Sequence, residues 1–195
     1  MAFLRSVHLA ESGPVVKGDR VWARMPQMLD HTEWANLRGI SREFLQPWEP
    51  EWADDELTRA AFRRRLRHYQ REMRDGAGYA FFLFRTGDNK LLGGATLSNV
   101  RRGVSQSISI GYWIGAPYSR QGYMTAAVRT LIPFVFDTLG FHRLEAACLP
   151  SNTPSRRLLE SCGFKYEGLA RKYLKINGLW QDHLLYAVVE DDSRA

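Results

Sequence analysis

"IGYWIGAPYSRQGYMTAA", residues 110–127, begins as a strand and ends as a helix. Ile108, Ile110, Tyr112 and Ile114 alternate with Ser107, Ser109, Gly111 and Trp113, the period of two that marks a strand. Further on the period changes. Met124, Ala127, Val128, Leu131, Ile132, Val135 and Phe136 fall on one stripe of a 3.6-residue helix. The turn between holds Gly115, Pro117, Ser119, Arg120 and Gly122. A helix N-terminus presents unpaired N–H groups and partial positive charge, which together attract an anion. Gly122 lets the backbone come close to a ligand, and Arg120 adds a full charge. The loop therefore reads as a cradle for a phosphate or pyrophosphate, with an ordinary tight turn as the alternative. It is neither a P-loop, since G-x-x-x-x-G-K-[ST] is absent, nor a dinucleotide fingerprint, since the order of glycines differs.

Working outward, residues 19–25 ("DRVWARM") predict a short strand and residues 28–41 a helix with Leu29, Trp34 and Leu37 inward. A loop with two prolines and two tryptophans follows, "EFLQPWEPEW". The next helix starts near Asp54 and Asp55 and places Leu57, Ala61, Leu66, Tyr69 and Met73 on one face, Arg59, Arg63, Arg64, Arg67 and Arg71 on the other. "YAFFLFRT" is almost continuously apolar, as expected of a strand covered on both faces. "LLGGATLSNV" and "VSQSISIGYWIG" are the next two strands. Beyond the opening stretch, Pro133 should bend its helix near Arg129 and Gly140 should end it. "HRLEAACL" is a strand, and "SNTPSRRLLESCGF" contains a helix with Thr153 as N-cap, Pro154 in the first turn and Gly163 at its end. Two last strands flank Asn177-Gly178, a strong hairpin signal. Strand, two helices, three strands, helix, strand, helix and two strands make a mixed sheet of about seven strands with helices on both faces.

The 195 residues carry 45% hydrophobic and 25% charged side chains, and no repeat or low-complexity linker divides them. We read residues 1–195 as a single domain with a core over about residues 19–189. Residues 1–10 lack a secretory apolar stretch, and no run approaches the roughly 18 apolar residues of a membrane span. Cys148 and Cys162 sit in apolar patterns without a His or Cys at zinc spacing. They read as buried free thiols, no metal is expected, and the cytoplasm follows by elimination. The net charge of +6 favours an anionic partner: nucleic acid, a phosphorylated cofactor or an acidic peptide.

"YWIGAPYSRQGYMTAA" followed by "NTPSRRLLESCGF" resembles the GCN5-related N-acetyltransferases over nearly the whole chain. Within that family, "FLQPWEP", "LSNVRRG", "GYWIGAPYSRQGYM" and "EGLARKYLKINGLWQDH" look most like the ribosomal-protein-alanine N-acetyltransferases. The resemblance implies a mostly antiparallel sheet and an acetyl-coenzyme A cosubstrate, with coenzyme A as product. In the family the loop follows Arg/Gln-x-x-Gly-x-Gly/Ala and wraps the cofactor's pyrophosphate. Here Ser119 stands at the first position and Met124 at the last, which shifts weight from side chains to backbone N–H groups. By this likeness Ser119, Arg120, Gln121, Gly122, Tyr123, Met124 and Thr125 hold the pyrophosphate. Trp113 and Ile114 offer main-chain groups to the pantetheine arm and the acetyl carbonyl.

Many relatives place a tyrosine beside the departing thiolate where this chain has Leu159. Ser155, in the first turn of its helix, is the substitute acid, and Asn152 a candidate for the cofactor's amides. For the base, Glu49 in "QPWEP" ranks first, with Glu145 and His183 behind it. Trp48 and Trp52 could shape the acceptor pocket. The expected acceptor is the α-amine of a protein N-terminus, a ribosomal protein foremost. A small-molecule amine and a non-catalytic ribosome- or RNA-binding module are the alternatives, and the arginine-rich helix could touch ribosomal RNA.

Overall fold

The computed structural model describes residues 13–193. The reading of residues 1–10, and both outer limits of the 1–195 domain, lie outside them. In chain order the elements are β1 (Val15–Lys17), β2 (Val21–Arg24), α1 (His31–Ile40), α2 (Arg42–Leu45), α3 (Arg59–Arg74), β3 (Tyr79–Arg85), β4 (Leu91–Arg101) and β5 (Ser107–Ile114). Then follow α4 (Tyr123–Pro133), β6 (Arg143–Cys148), α5 (Thr153–Ser161), β7 (Lys165–Ile176), β8 (Leu179–Val189) and α6 (Glu190–Ser193). The described strands form one sheet of eight in the order β1-β2-β3-β4-β5-β6-β8-β7. The strand beyond the seven expected is β1, three residues too short to show a period. Every pairing is antiparallel except β5 with β6.

β3 shows why its sequence is apolar throughout. Phe82 and Phe84 pack with Trp34, Leu37, Phe62, Leu66 and Leu91 beneath α1 and α3. Phe81 and Leu83 join the larger core under α4 and α5, with Leu97, Ile108, Val128, Leu131, Val135 and Leu159. Alternate side chains thus serve two cores, each fully buried aromatic stabilising by about 1.5–3 kcal/mol.

Four local readings change. Residues 28–30 form a 3₁₀ turn before α1, and the altered phase turns Leu29 outward at 75% exposure while Trp34 and Leu37 stay buried. Helix α3 starts at Arg59, because Thr58 caps it through a 3.2 Å bond from Ala61 N, while Asp54 and Asp55 belong to the preceding turn. Asn152, not Thr153, caps α5, accepting at 3.1 Å from Ser155 N. Pro133 ends α4, and the chain widens into a π turn over Phe134–Thr138 instead of bending within one helix. The Asn177-Gly178 hairpin stands as read, with both residues at positive φ.

Two glycines of β4 allow β5 to lie where it does. A Cβ at Gly93 would meet Trp113 O at 2.2 Å and Ile114 Cα at 3.0 Å, and one at Gly94 would meet the Trp113 indole at 2.6 Å. Both obstacles at Gly93 are backbone and cannot rotate away. Gly93→Ala should therefore cost about 2–3 kcal/mol. Thermal denaturation should show a midpoint lower by roughly 5–10 °C; an unchanged midpoint would mean that β5 yields without strain.

Candidate active site

β5 and β6 run parallel only from Ser107, Ile108 and Ser109 against Arg143, Leu144 and Glu145. Beyond that point β6 pairs with β8 alone, while β5 continues to Ile114 against β4. The two strands splay, and the main-chain groups of residues 110–114 on the β6 side have no strand partner. Trp113 and Ile114, expected to serve a pantetheine arm, lie in this opened stretch.

The chain then leaves the sheet. Gly115 N donates to Leu92 O at 2.8 Å, and Ala116 N donates to the buried Ser41 hydroxyl at 2.9 Å. A 3₁₀ turn over Ala116–Tyr118 leads to Ser119. Arg120 and Gly122 both take positive φ, 58° and 78°, so the backbone doubles back before α4. Gly122 is the N-cap, no side chain caps this end, and no acid stands in the first turn. The N–H groups of Tyr123, Met124 and Thr125 are those an anion would meet. Met124 itself is buried in the core, so only its backbone is available there, whereas Arg120 and Gln121 are exposed. The Gln121 amide donates to Pro117 O at 2.7 Å and holds the loop closed on itself.

Arg20, which no sequence pattern singles out, completes the cradle. Its guanidinium donates to Gln121 O at 3.0 Å and lies 4.8 Å over the Tyr123 ring. A Cβ at Gly122 would sit 3.0 Å from Arg20 Nη1. Two cations and an uncapped helix end fit a pyrophosphate.

At the splay, α5 brings the Ser155 hydroxyl to 2.8 Å from the Tyr112 hydroxyl. Burial pushes the Tyr112 phenol well above its ordinary pKa, opposed only in part by the bond to Ser155. Burial likewise raises the Cys148 thiol, which shares Ser155 as a partner. Cys148 and Cys162 are both buried and free. Asn152 spends its side-chain oxygen on capping α5, so only its amide nitrogen remains for a ligand.

On the opposite face of the sheet lies a cavity of about 400 Å³ that reaches Gly111, Tyr112 and Trp113. The loop that carries Trp48, Glu49 and Trp52 forms one wall, and Arg65 and Tyr69 of α3 another. Arg38 spans it. Only 5% exposed, it donates to both Glu49 carboxylate oxygens at 2.7 and 2.8 Å and is stacked 4.3 Å over Trp52 and 4.9 Å over Trp113. Trp52 Nε1 adds a 2.8 Å bond to Glu49. The hairpin tip closes on this loop, Asn177 N donating to Glu49 O at 2.9 Å.

The three base candidates separate clearly. Glu49 borders the cavity, and both its oxygens accept charge-assisted bonds from Arg38. Glu145 is tied to Arg101 and, at 2.9 Å, to Arg143. His183 is buried, with Nδ1 2.9 Å from Gln181 O and its ring edge-on to Tyr173. Neither of the last two lines the cavity.

Splayed parallel strands beside an uncapped helix admit one extended ligand, and the cavity behind them admits a second from the other face; this is the geometry of a two-substrate transferase. The chain belongs to the GNAT acetyltransferases, whose domain matches residues 20–165. It is 35% identical to the probable N-acetyltransferase YjcK of Bacillus subtilis (strain 168), over 91% of this chain and 98% of that protein. Its identity to the [ribosomal protein uS5]-alanine N-acetyltransferase of Escherichia coli (strain K12) is 33%, over 89% and 90% respectively. The solved structure of Mycobacterium smegmatis RimJ in complex with CoA-disulfide superposes with a TM-score of 0.84 at 32% identity, covering 93% of this chain and 88% of that one. The protein is an acetyl-coenzyme A-dependent acetyltransferase.

Proposed function

We propose that the protein acetylates the N-terminal α-amine of a protein, a ribosomal protein foremost, with both substrates bound together. The observation that carries this reading is the cavity of about 400 Å³ that reaches Gly111, Tyr112 and Trp113, whose lining includes Arg38 together with the carboxylates Glu49, Glu51 and Glu56. A peptide N-terminus brings a carbonyl oxygen two bonds from its amine carbon; a simple amine brings none. The relative that acts on alanine of uS5 supports the same acceptor class. A ribosomal acceptor would place the enzyme in the cytoplasm. Among the described residues no helix is long and apolar enough to cross a membrane.

Acetyl-coenzyme A supplies the acetyl group on a thioester, whose carbonyl carbon takes the amine and whose sulfur leaves. The backbone of Ser119 to Thr125, with Arg120 and Arg20, fixes the pyrophosphate; Trp113 and Ile114 align the pantetheine arm and polarise the carbonyl through main-chain N–H. Asn152 contributes its amide nitrogen to the same arm. Ser155 Oγ–H is the proton source for sulfur, Tyr112 passes its proton to Ser155 in the same step, and the proton that the acceptor amine sheds to water restores the phenol, which burial holds neutral. The acceptor amine has a reference pKa near ~8, so a substantial neutral fraction exists near neutral pH and water in the cavity can carry its proton away. Glu49 holds Arg38 flat between two indoles and thereby shapes the acceptor wall.

The test is mass spectrometry of a peptide library varied at its first residues, alongside N-terminally blocked peptides and free polyamines. Acetylation confined to free peptide N-termini is expected; faster transfer to free polyamines would replace the acceptor class. The cradle has its own test. Gly122→Val forces a β-branched residue into the left-handed region, a cost of about 1–2 kcal/mol before any crowding of Arg20. Calorimetry should show coenzyme A bound at least about tenfold more weakly. Unchanged affinity would reduce the loop to a turn.

A further inference from the structure

Helix α3 carries seven arginines and no lysine: Arg59, Arg63, Arg64, Arg65, Arg67, Arg71 and Arg74. Two are committed at the preceding turn, Arg64 to Asp55 and Arg65 to Glu56. The other five are exposed, and among the described residues no carboxylate pairs with them. At about 100° per residue they fall within a sector of roughly 120° that runs about 22 Å along the axis. Ala60 and Gln70, also exposed, are the only other residues in that sector. The single acid of the helix, Glu72, lies on the far side and faces His68 at 3.4 Å. Arg59, Arg63, Arg67 and Arg71 stand four apart, so that three successive like-charge pairs weaken the helix. Arg59 also lies in the first turn, where the macrodipole disfavours a cation. A polyanion laid along the sector would relieve both.

We propose that this arginine stripe docks on the phosphate backbone of double-helical RNA. Arginine in place of lysine suits bidentate contact with phosphate. No aromatic side chain interrupts the sector, so it offers nothing for unpaired bases to stack on, and it reads backbone rather than sequence. The linear, rigid layout fits a duplex better than a flexible acidic peptide. The choice of RNA rests on the proposed ribosomal acceptor: Arg65 and Tyr69 of this same helix line the acceptor cavity, so an RNA-bound stripe would hold a neighbouring protein N-terminus near it.

Fluorescence anisotropy with a 20-base-pair RNA duplex of mixed sequence tests the proposal, using the full chain and no acceptor peptide. The wild type should bind, with affinity falling steeply as salt rises. Arg63→Glu/Arg67→Glu/Arg71→Glu should bind at least about tenfold more weakly and lose roughly one unit of salt slope per arginine. The glutamine triple variant should do the same in weaker form, which guards against misfolding of the first. Both should acetylate a short alanyl peptide at the wild-type rate, since none of the three residues touches the cavity or the cradle. RNA should also raise the wild-type melting temperature. Equal binding by wild type and both variants, no binding at all, or tighter binding to a DNA duplex, polyglutamate or anionic vesicles would overturn it. Failure of peptide acetylation with RNA binding intact would instead count against the proposed acceptor.

Discussion

Ser155→Ala should lower turnover on an alanyl peptide by about 100-fold, within the range for loss of a general acid, and leave coenzyme A affinity within about twofold. The Ser155 hydroxyl has one strong partner, the Tyr112 hydroxyl at 2.8 Å, and its backbone N–H is held by the Asn152 cap, which the substitution does not touch. Helix α5 should therefore keep its start and the splay its shape. What goes is a proton donor. Tyr112→Phe supplies the complementary result, because the phenol does not reach sulfur in this scheme but refills Ser155. Its loss should be smaller, about 10-fold, and the double variant should be no slower than Ser155→Ala alone. Such non-additivity is the signature of two groups acting as one unit. The buried phenol also stays protonated to higher pH than an ordinary tyrosine, so the relay should not open as pH rises toward ~10. Additive losses, or a Ser155→Ala enzyme with wild-type turnover, would remove the relay and leave Ser155 as a helix-end residue.

The order and type of the elements were legible wherever the apolar period was long. β5 and α4 follow from their periods, while β3 follows from its unbroken apolar run and the hairpin from Asn177-Gly178. What escaped were features fixed by spatial neighbours. β1 is three residues long and becomes a strand only because β2 lies beside it. Tyr112 looked like one more inward strand residue until α5 placed Ser155 on its hydroxyl. Arg20 lies some hundred residues from the loop it steadies, and nothing local in "GDRVW" marks it as part of an anion site. Glu49 lines the cavity together with the loop that carries it. Its partner Arg38 sits in the last turn of α1, where a charged residue reads as solvated, so its engagement of both carboxylate oxygens could not be seen.

Arg38→Ala should be the most destabilising single change in the site, by about 3 kcal/mol, because it leaves a partly buried carboxylate without its cation. Side-chain exposure is 6% for Arg38, 17% for Glu49 and 16% for Glu56, which lies 3.8 Å from Arg38 Nη2. The substitution also removes a cation stacked over Trp52 and Trp113, and with it the spacer between the two indoles. A midpoint lower by roughly 10 °C is expected for a chain of this size. Glu49→Ala should cost less, since Arg38 keeps Glu56 nearby. Replacing the pair together, Arg38→Met with Glu49→Leu, should recover much of the loss, as apolar substitutes of similar volume do for buried ion pairs. That double variant separates stability from recognition. It should fold, bind coenzyme A through an intact cradle, and yet acetylate an alanyl peptide with KM raised at least about tenfold, because no guanidinium remains to meet the acceptor's carbonyl. An Arg38→Ala loss below ~1 kcal/mol would show the pair to be solvent-screened like a surface bridge. A double variant with wild-type KM would take Arg38 out of acceptor binding while leaving its structural role intact.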